Sequence, residues 1–188
     1  MKKKVIQKSA GKSLFQAVAP VSNTKKSTEY GRQLKEKQKV KNMYGMREAQ
    51  FRRFFSLAKK SKDATGDTLM TLLESRLDNI LFRLKLAKTV LSARKIIVHG
   101  HVTLDGKRVY SPSIIVAVGS VVGLSDKIKK HESFVKNEVE VSLARSIRVP
   151  DWLELMRDEY KGRILRMPQI SDIQSEININ AIVELYSK

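Results

Sequence analysis

The chain contains no cysteine, so neither a disulfide framework nor a cysteine-based zinc site can form, and thiol chemistry carries no information about its compartment. It also lacks a long apolar run. The longest, residues 114–124, is interrupted by Gly119, Ser120 and Gly123. It falls well short of the ~20 apolar residues that a membrane-spanning helix needs. Residues 1–4 resemble the charged start of a signal peptide, but no apolar segment of ~7–15 residues follows. Residues 1–28 contain neither acid nor arginine, and the missing arginine argues against a transit peptide. A membrane partner is therefore not expected.

Catalytic constellations are missing as well. Gly11-Lys12-Ser13 copies the end of a phosphate-binding P-loop, but Ile6 stands where the loop needs its first glycine. His99 and His101 would face opposite sides of a strand and have no third ligand, so no metal site is expected. No cysteine nucleophile exists, and no Ser/His/Asp order suggests a triad. The adjacent acids Asp158 and Glu159 read as a solvated turn. The expectation is a non-enzyme with no cofactor and no small-molecule substrate.

Acid is scarce where base is abundant. Residues 1–45 hold 12 Lys or Arg and only two acids, Glu29 and Glu36. Residues 46–131 add 17 basic and 7 acidic side chains, whereas residues 132–188 hold 8 and 10. The net charge of +18 thus sits in the first two-thirds. A fold does not need such a field, which raises self-repulsion in the compact state, and a polyanionic partner that neutralises it is the direct explanation. Nucleic acid is that partner's expected class.

The 41% hydrophobic content is enough for a core. Residues 1–28, with seven lysines, read as a flexible basic arm that orders on RNA. Residues 30–44 read as a basic helix presenting Arg32, Lys35, Lys37, Lys39 and Lys41. In residues 46–60, Phe51, Phe54, Phe55 and Ala58 form an i, i+3, i+4, i+7 stripe that predicts burial. Arg52 and Arg53 fall on other faces. Residues 63–67 read as a turn, with Thr65 or Asp67 capping one continuous leucine-rich helix over 68–84. Arg76 lies at the edge of that stripe, either buried against Asp78 or Glu74 or emerging toward RNA.

Thr89 caps a shorter helix over 90–98 that turns Arg94 and Lys95 away from its apolar face, and Gly100 suits the left-handed position after its end. Asp105-Gly106 predicts a two-residue type I′ hairpin pairing Val102 with Val109, Thr103 with Arg108 and Leu104 with Lys107. Residues 114–124 read as a further strand segment with a turn at Gly119-Ser120, and residues 132–145 as a mildly acidic helix. Two short strands are expected around residues 160–162. Ile179, Ile182, Val183 and Tyr186 recur at helical spacing. The expected fold class is α+β, with two short helices on a short antiparallel sheet.

Residues 74–109 resemble the RNA-binding module named after small-subunit ribosomal protein four. The resemblance rests on the Arg76-Leu77-Asp78-Asn79 start, on Ala93-Arg94 and on the valine- and glycine-bearing hairpin. The module also resembles segments of RNA-modifying enzymes, tyrosyl-tRNA synthetases and a ribosome-rescue factor. The flanks separate these. Residues 30–55, the Trp152-Leu153-Glu154 segment and residues 179–188 are similar to the ribosomal protein family itself, of bacterial type, and no residues remain for a catalytic domain. Residues 1–27 do not look like the Arg-rich start usual in that family, and residues 132–150 match weakly.

The resemblance implies a discontinuous helical lobe, 29–73 with 151–188, around an inserted module, 74–150. It implies a structural component of the small ribosomal subunit, cytoplasmic or in an organelle ribosome. Such a component binds the 5′ domain of small-subunit rRNA, nucleates assembly and lies near the mRNA entrance beside ribosomal protein five. The alternatives are a free ribosome-rescue or regulatory RNA binder, and the anchor of an RNA-modifying enzyme. Candidate RNA contacts are Arg32, Lys35, Lys37, Lys39, Lys41, Arg52, Arg53, Arg76, Arg94, Lys95, His101, Lys107 and Arg108.

Overall fold

A computed structural model describes residues 28–145, 148–173 and 177–187. The expected basic arm and its Gly11-Lys12-Ser13 motif lie outside the described residues, Thr28 excepted. The described residues open with helices α1 (Glu29–Met43), α2 (Glu48–Lys59) and α3 (Thr65–Glu74). Thr28 starts α1, its hydroxyl accepting the Gly31 N–H at 3.2 Å. The apolar stripe of α2 is buried as its spacing predicts: Phe51, Phe54, Phe55 and Ala58 pack against Val40, Leu69, Met70 and Leu73.

Two more helices follow, α4 (Leu77–Arg83) and α5 (Val90–Val98), then strands β1 (Val102–Leu104), β2 (Lys107–Val109) and β3 (Val121–Leu124). Short helical turns α6 (Asp126–Lys129), α7 (Glu132–Phe134) and α8 (Val141–Leu143) come next, with a π-helical stretch, Val135–Glu140, between the last two. Strands β4 (Leu153–Met156) and β5 (Lys161–Ile164), a 3₁₀ turn (Ile170–Asp172) and helix α9 (Ile179–Ser187) complete the described chain. The five strands form one antiparallel sheet in the order β2-β1-β3-β5-β4. The hairpin has the expected register, with Asp105 and Gly106 both at positive φ.

The single leucine-rich helix expected over 68–84 is two helices. Leu69 and Leu73 of α3 face the helical core, whereas Leu77, Ile80 and Leu81 of α4 and its cap residue Leu84 face the sheet. Between them Arg76 is extended and bridges to Ile115. The loop after β2 supplies the hydrogen bonds that replace helix continuity. The Leu77 and Asp78 amides donate to the carbonyls of Ile114 and Pro112, at 2.9 and 3.1 Å, and Val116 donates to Ser75. Neither Thr65 nor Asp67 caps α3: Ala64 stands at the cap and Thr65 is already helical. The strand expected over 114–124 is a ladder only from Val121 onward. Strands β4 and β5 join the module's sheet and core, whereas the chain after the sheet, with Ile173, Ile177 and α9, packs against the helical cluster.

Three helices end in the same way. After α1, α4 and α5 the first residue past the cap is left-handed. Its N–H and the next one bond back to the carbonyls two and three residues before the cap. Gly45 and Gly100 fill that position after α1 and α5, at φ +53° and +69°. Lys85 fills it after α4, at φ +63°.

Candidate nucleic-acid interface

The predicted contacts separate into buried and exposed groups. Arg76 is 2% exposed and bound in two places to Asp78, with Nε–Oδ1 at 3.0 Å and Nη2–Oδ2 at 2.7 Å. Its Nη1 has no hydrogen-bond partner among the described residues, and the guanidinium covers the Phe54 ring, 5.2 Å from its centroid. Of the two places open to Arg76, the structure selects the interior, against Asp78, so in this fold it is not an RNA contact.

Arg94 is also taken up internally. Its Nε donates to Asp78 Oδ2 at 2.7 Å, its Nη2 to the Tyr44 carbonyl at 2.6 Å, and its Nη1 to the Gly45 carbonyl. This side chain from α5 thus holds the turn between α1 and α2. The helical spacing that set it apart from the apolar face of α5 was sound, but that direction leads to the other lobe.

A second buried carboxylate reinforces the junction. Glu74 accepts the Tyr44 hydroxyl at 2.6 Å, the Asn79 amide at 2.6 Å and Arg83 at 2.6 and 3.1 Å. Burial, and then the charge of Glu74, push the Tyr44 hydroxyl pKa well above its usual value, so it stays a donor. Tyr44, Glu74, Asn79 and Arg83 were absent from the predicted site. Only the juxtaposition of Glu74, Arg76 and Asp78 near one helix edge hinted at the network.

Lys37 and Lys41 both turn onto Glu48, at 3.0 and 2.8 Å, and are largely covered. These bonds, that to Lys41 first, hold the Glu48 carboxyl down to about 2. Arg32 pairs with Glu29 across one helical turn, but both side chains are exposed and the pair is weak.

Lys35, Lys39, Arg53, Lys95, Lys107 and Arg108 are exposed. Arg52 is also exposed and lies 3.6 Å from Glu48. Arg108 faces away from the valines on the rigid hairpin, as its register requires. His101 is half-buried, and burial followed by the neighbouring His99, Lys127, His131 and Arg108 lowers its pKa. His99 and His101 lie 6.3 Å apart, centroid to centroid, and no metal-binding group of His, Asp and Glu exists among the described residues. Among the described residues no helix is long and apolar enough to cross a membrane.

Exposed cations thus occupy both lobes, while paired cations fasten one lobe to the other. Residues 3–74 match the family described as the ribosomal protein S4/S9 N-terminal domain, and residues 75–122 match the S4 domain. The chain is 45% identical over 164 residues to the small ribosomal subunit protein uS4 of Thermoanaerobacter sp. (strain X514), covering 87% of this chain and 77% of that one. It is 45% identical to the proteins of the same name from Acetivibrio thermocellus, over 166 residues, and Aquifex aeolicus, over 167. These alignments cover 88% and 87% of this chain and 78% of each relative. With two family matches meeting at the break between α3 and α4, and relatives this similar over most of its length, the chain belongs to the family of small ribosomal subunit protein uS4.

Proposed function

We propose that the chain is a structural, non-catalytic component of the small ribosomal subunit that binds rRNA through the exposed cations of both lobes. The observation that carries this reading is the division of the basic side chains. Arg76, Arg94, Lys37 and Lys41 are consumed by internal carboxylates and carbonyls, yet exposed cations remain on α1, α2, α5 and the hairpin. Cations beyond those that hold the fold together suit a phosphate backbone.

The finer parts of the proposal follow from the family resemblance. The RNA is the 5′ domain of small-subunit rRNA, bound early in assembly, and the protein lies near the mRNA entrance beside ribosomal protein five. Exposed cations on two lobes joined by a buried network support the role of a clamp between RNA helices. The acid-rich last third faces solvent or a basic neighbouring protein; a subunit structure with residues 151–166 packed on phosphates would refute that part.

The test is a titration against the isolated 5′ domain at near-physiological salt, with excess tRNA as competitor. Tight binding that survives the competitor is expected. Binding that falls to the level of any RNA would replace the reading with a free rescue or regulatory factor.

A further inference from the structure

Lys85 combines three unfavourable features. It occupies the left-handed position after α4, at φ +63°, where the equivalent ends of α1 and α5 have glycine. A side chain with a Cβ is strained there, and such strain persists only where the surroundings enforce it. It is also a lysine only 6% exposed. Finally, its ammonium has neither carboxylate nor hydrogen-bond acceptor among the described residues. It lies over the Phe82 ring, 5.6 Å from the centroid.

A largely covered cation with no counter-charge among the described residues, on a strained backbone, lowers stability, so its presence points to a ligand missing from the isolated chain. Its surroundings define the ligand's charge. Lys85 lines a pocket of about 230 Å³ with Arg83 and Arg148. Burial, and then the positive charges of Arg83 and Arg145, lower its pKa. Asp151 and Asp172 also line this pocket. Asp172 is already satisfied, however, by Arg166 at 2.7 Å and the Gln169 N–H at 2.8 Å. Neither acid reaches Lys85. Arg83 gives Glu74 its Nε and Nη2.

We propose that the pocket of Arg83, Lys85 and Arg148 is a phosphate site, filled in the assembled particle by one backbone phosphate of RNA. The RNA assignment rests on the function proposed above; the phosphate chemistry does not. A phosphate oxygen at Lys85 would supply the missing counter-charge, and the bound anion would offset the strain of the helix end.

Two variants of the full chain separate charge from strain. Lys85→Met keeps length and backbone strain but removes the charge, whereas Lys85→Gly removes both. Thermal unfolding is compared in chloride and in inorganic phosphate at matched ionic strength. Phosphate should raise the midpoint of the wild type by more than that of either variant, both of which keep only its general stabilising effect as an excluded salt. In chloride, Lys85→Gly should melt higher than the wild type, by about 2–4 °C. In RNA titrations against the 5′ domain, both variants should show a salt slope shallower by ~0.7–0.9.

A wild type that responds to phosphate no more than the variants do, together with unchanged RNA slopes, would overturn the site. A phosphate response that Lys85 controls, with unchanged slopes, would overturn the RNA assignment and leave a free-anion site. If the wild type itself fails to hold the 5′ domain against tRNA, the proposed function falls, and the phosphate arm still decides the pocket.

Discussion

Asp78 is the residue on which the junction turns. Fully buried, it receives Arg76 and Arg94 on its two oxygens and also accepts the Asn79 N–H at 2.9 Å. Replacing it by Asn would leave the buried Arg76 and the partly covered Arg94 with no carboxylate. Asp78→Asn should lower the unfolding free energy by about 3–5 kcal/mol, measured by urea denaturation. A loss below ~1 kcal/mol would mean that water enters the junction and that the pairs are not dry. Glu48 sets a pH window instead. Its folded pKa, about 2, lies below its usual 4.5. The stability it contributes is therefore complete above pH 4.5 and disappears as pH falls through 2. Acid titration of unfolding should show a steeper decline across this window in the wild type than in Glu48→Gln. Parallel curves would mean that Lys37 and Lys41 do not hold the carboxylate in solution.

The contact between helix α4 and the sheet depends on a missing side chain. Gly162 lies in β5 opposite Val122 and Leu155, and a Cβ there would run into both methyls of the fully buried Leu84. Its φ is not positive, so close approach alone fixes the glycine. Gly162→Ala should cost about 1–3 kcal/mol by overpacking. Combining it with Leu84→Ala should cost less than the two separate losses added together, and strict additivity would refute the contact. Such a contact was not legible in the sequence, because residues 84 and 162 are brought together only by the sheet. The hairpin was legible down to its register, because Asp105-Gly106 encodes the turn within four bonds of where it acts. The break between α3 and α4 was not, because the apolar period runs through Ser75-Arg76 undisturbed. What interrupts the helix is the loop over residues 112–116, which offers carbonyls to the amides of Leu77 and Asp78.

At the scale of the whole molecule, composition showed the surplus of positive charge but not its division. Arg94 and Lys95 are neighbours in the same basic run, yet one fastens the two lobes and the other is exposed. Only the fold distinguishes them, because two of the acceptors of Arg94, the Tyr44 and Gly45 carbonyls, lie on a turn some fifty residues earlier. The exposed cations on two joined lobes give the last prediction. Arg52 and Arg53 represent the helical lobe, and Lys107 and Arg108 represent the module. If both lobes hold phosphates at once, replacing either pair by Gln should reduce the salt slope of binding to the 5′ domain by about 1.4–1.8, and the two reductions should add. Rigid joining also means that the second lobe binds at a high effective concentration once the first is seated. Asp78→Asn should therefore weaken binding at every salt concentration without changing the slope, because it loosens the junction and removes no exposed cation. A slope unaffected by the Lys107 and Arg108 pair would place the hairpin off the RNA, leaving the helical lobe as the sole electrostatic anchor.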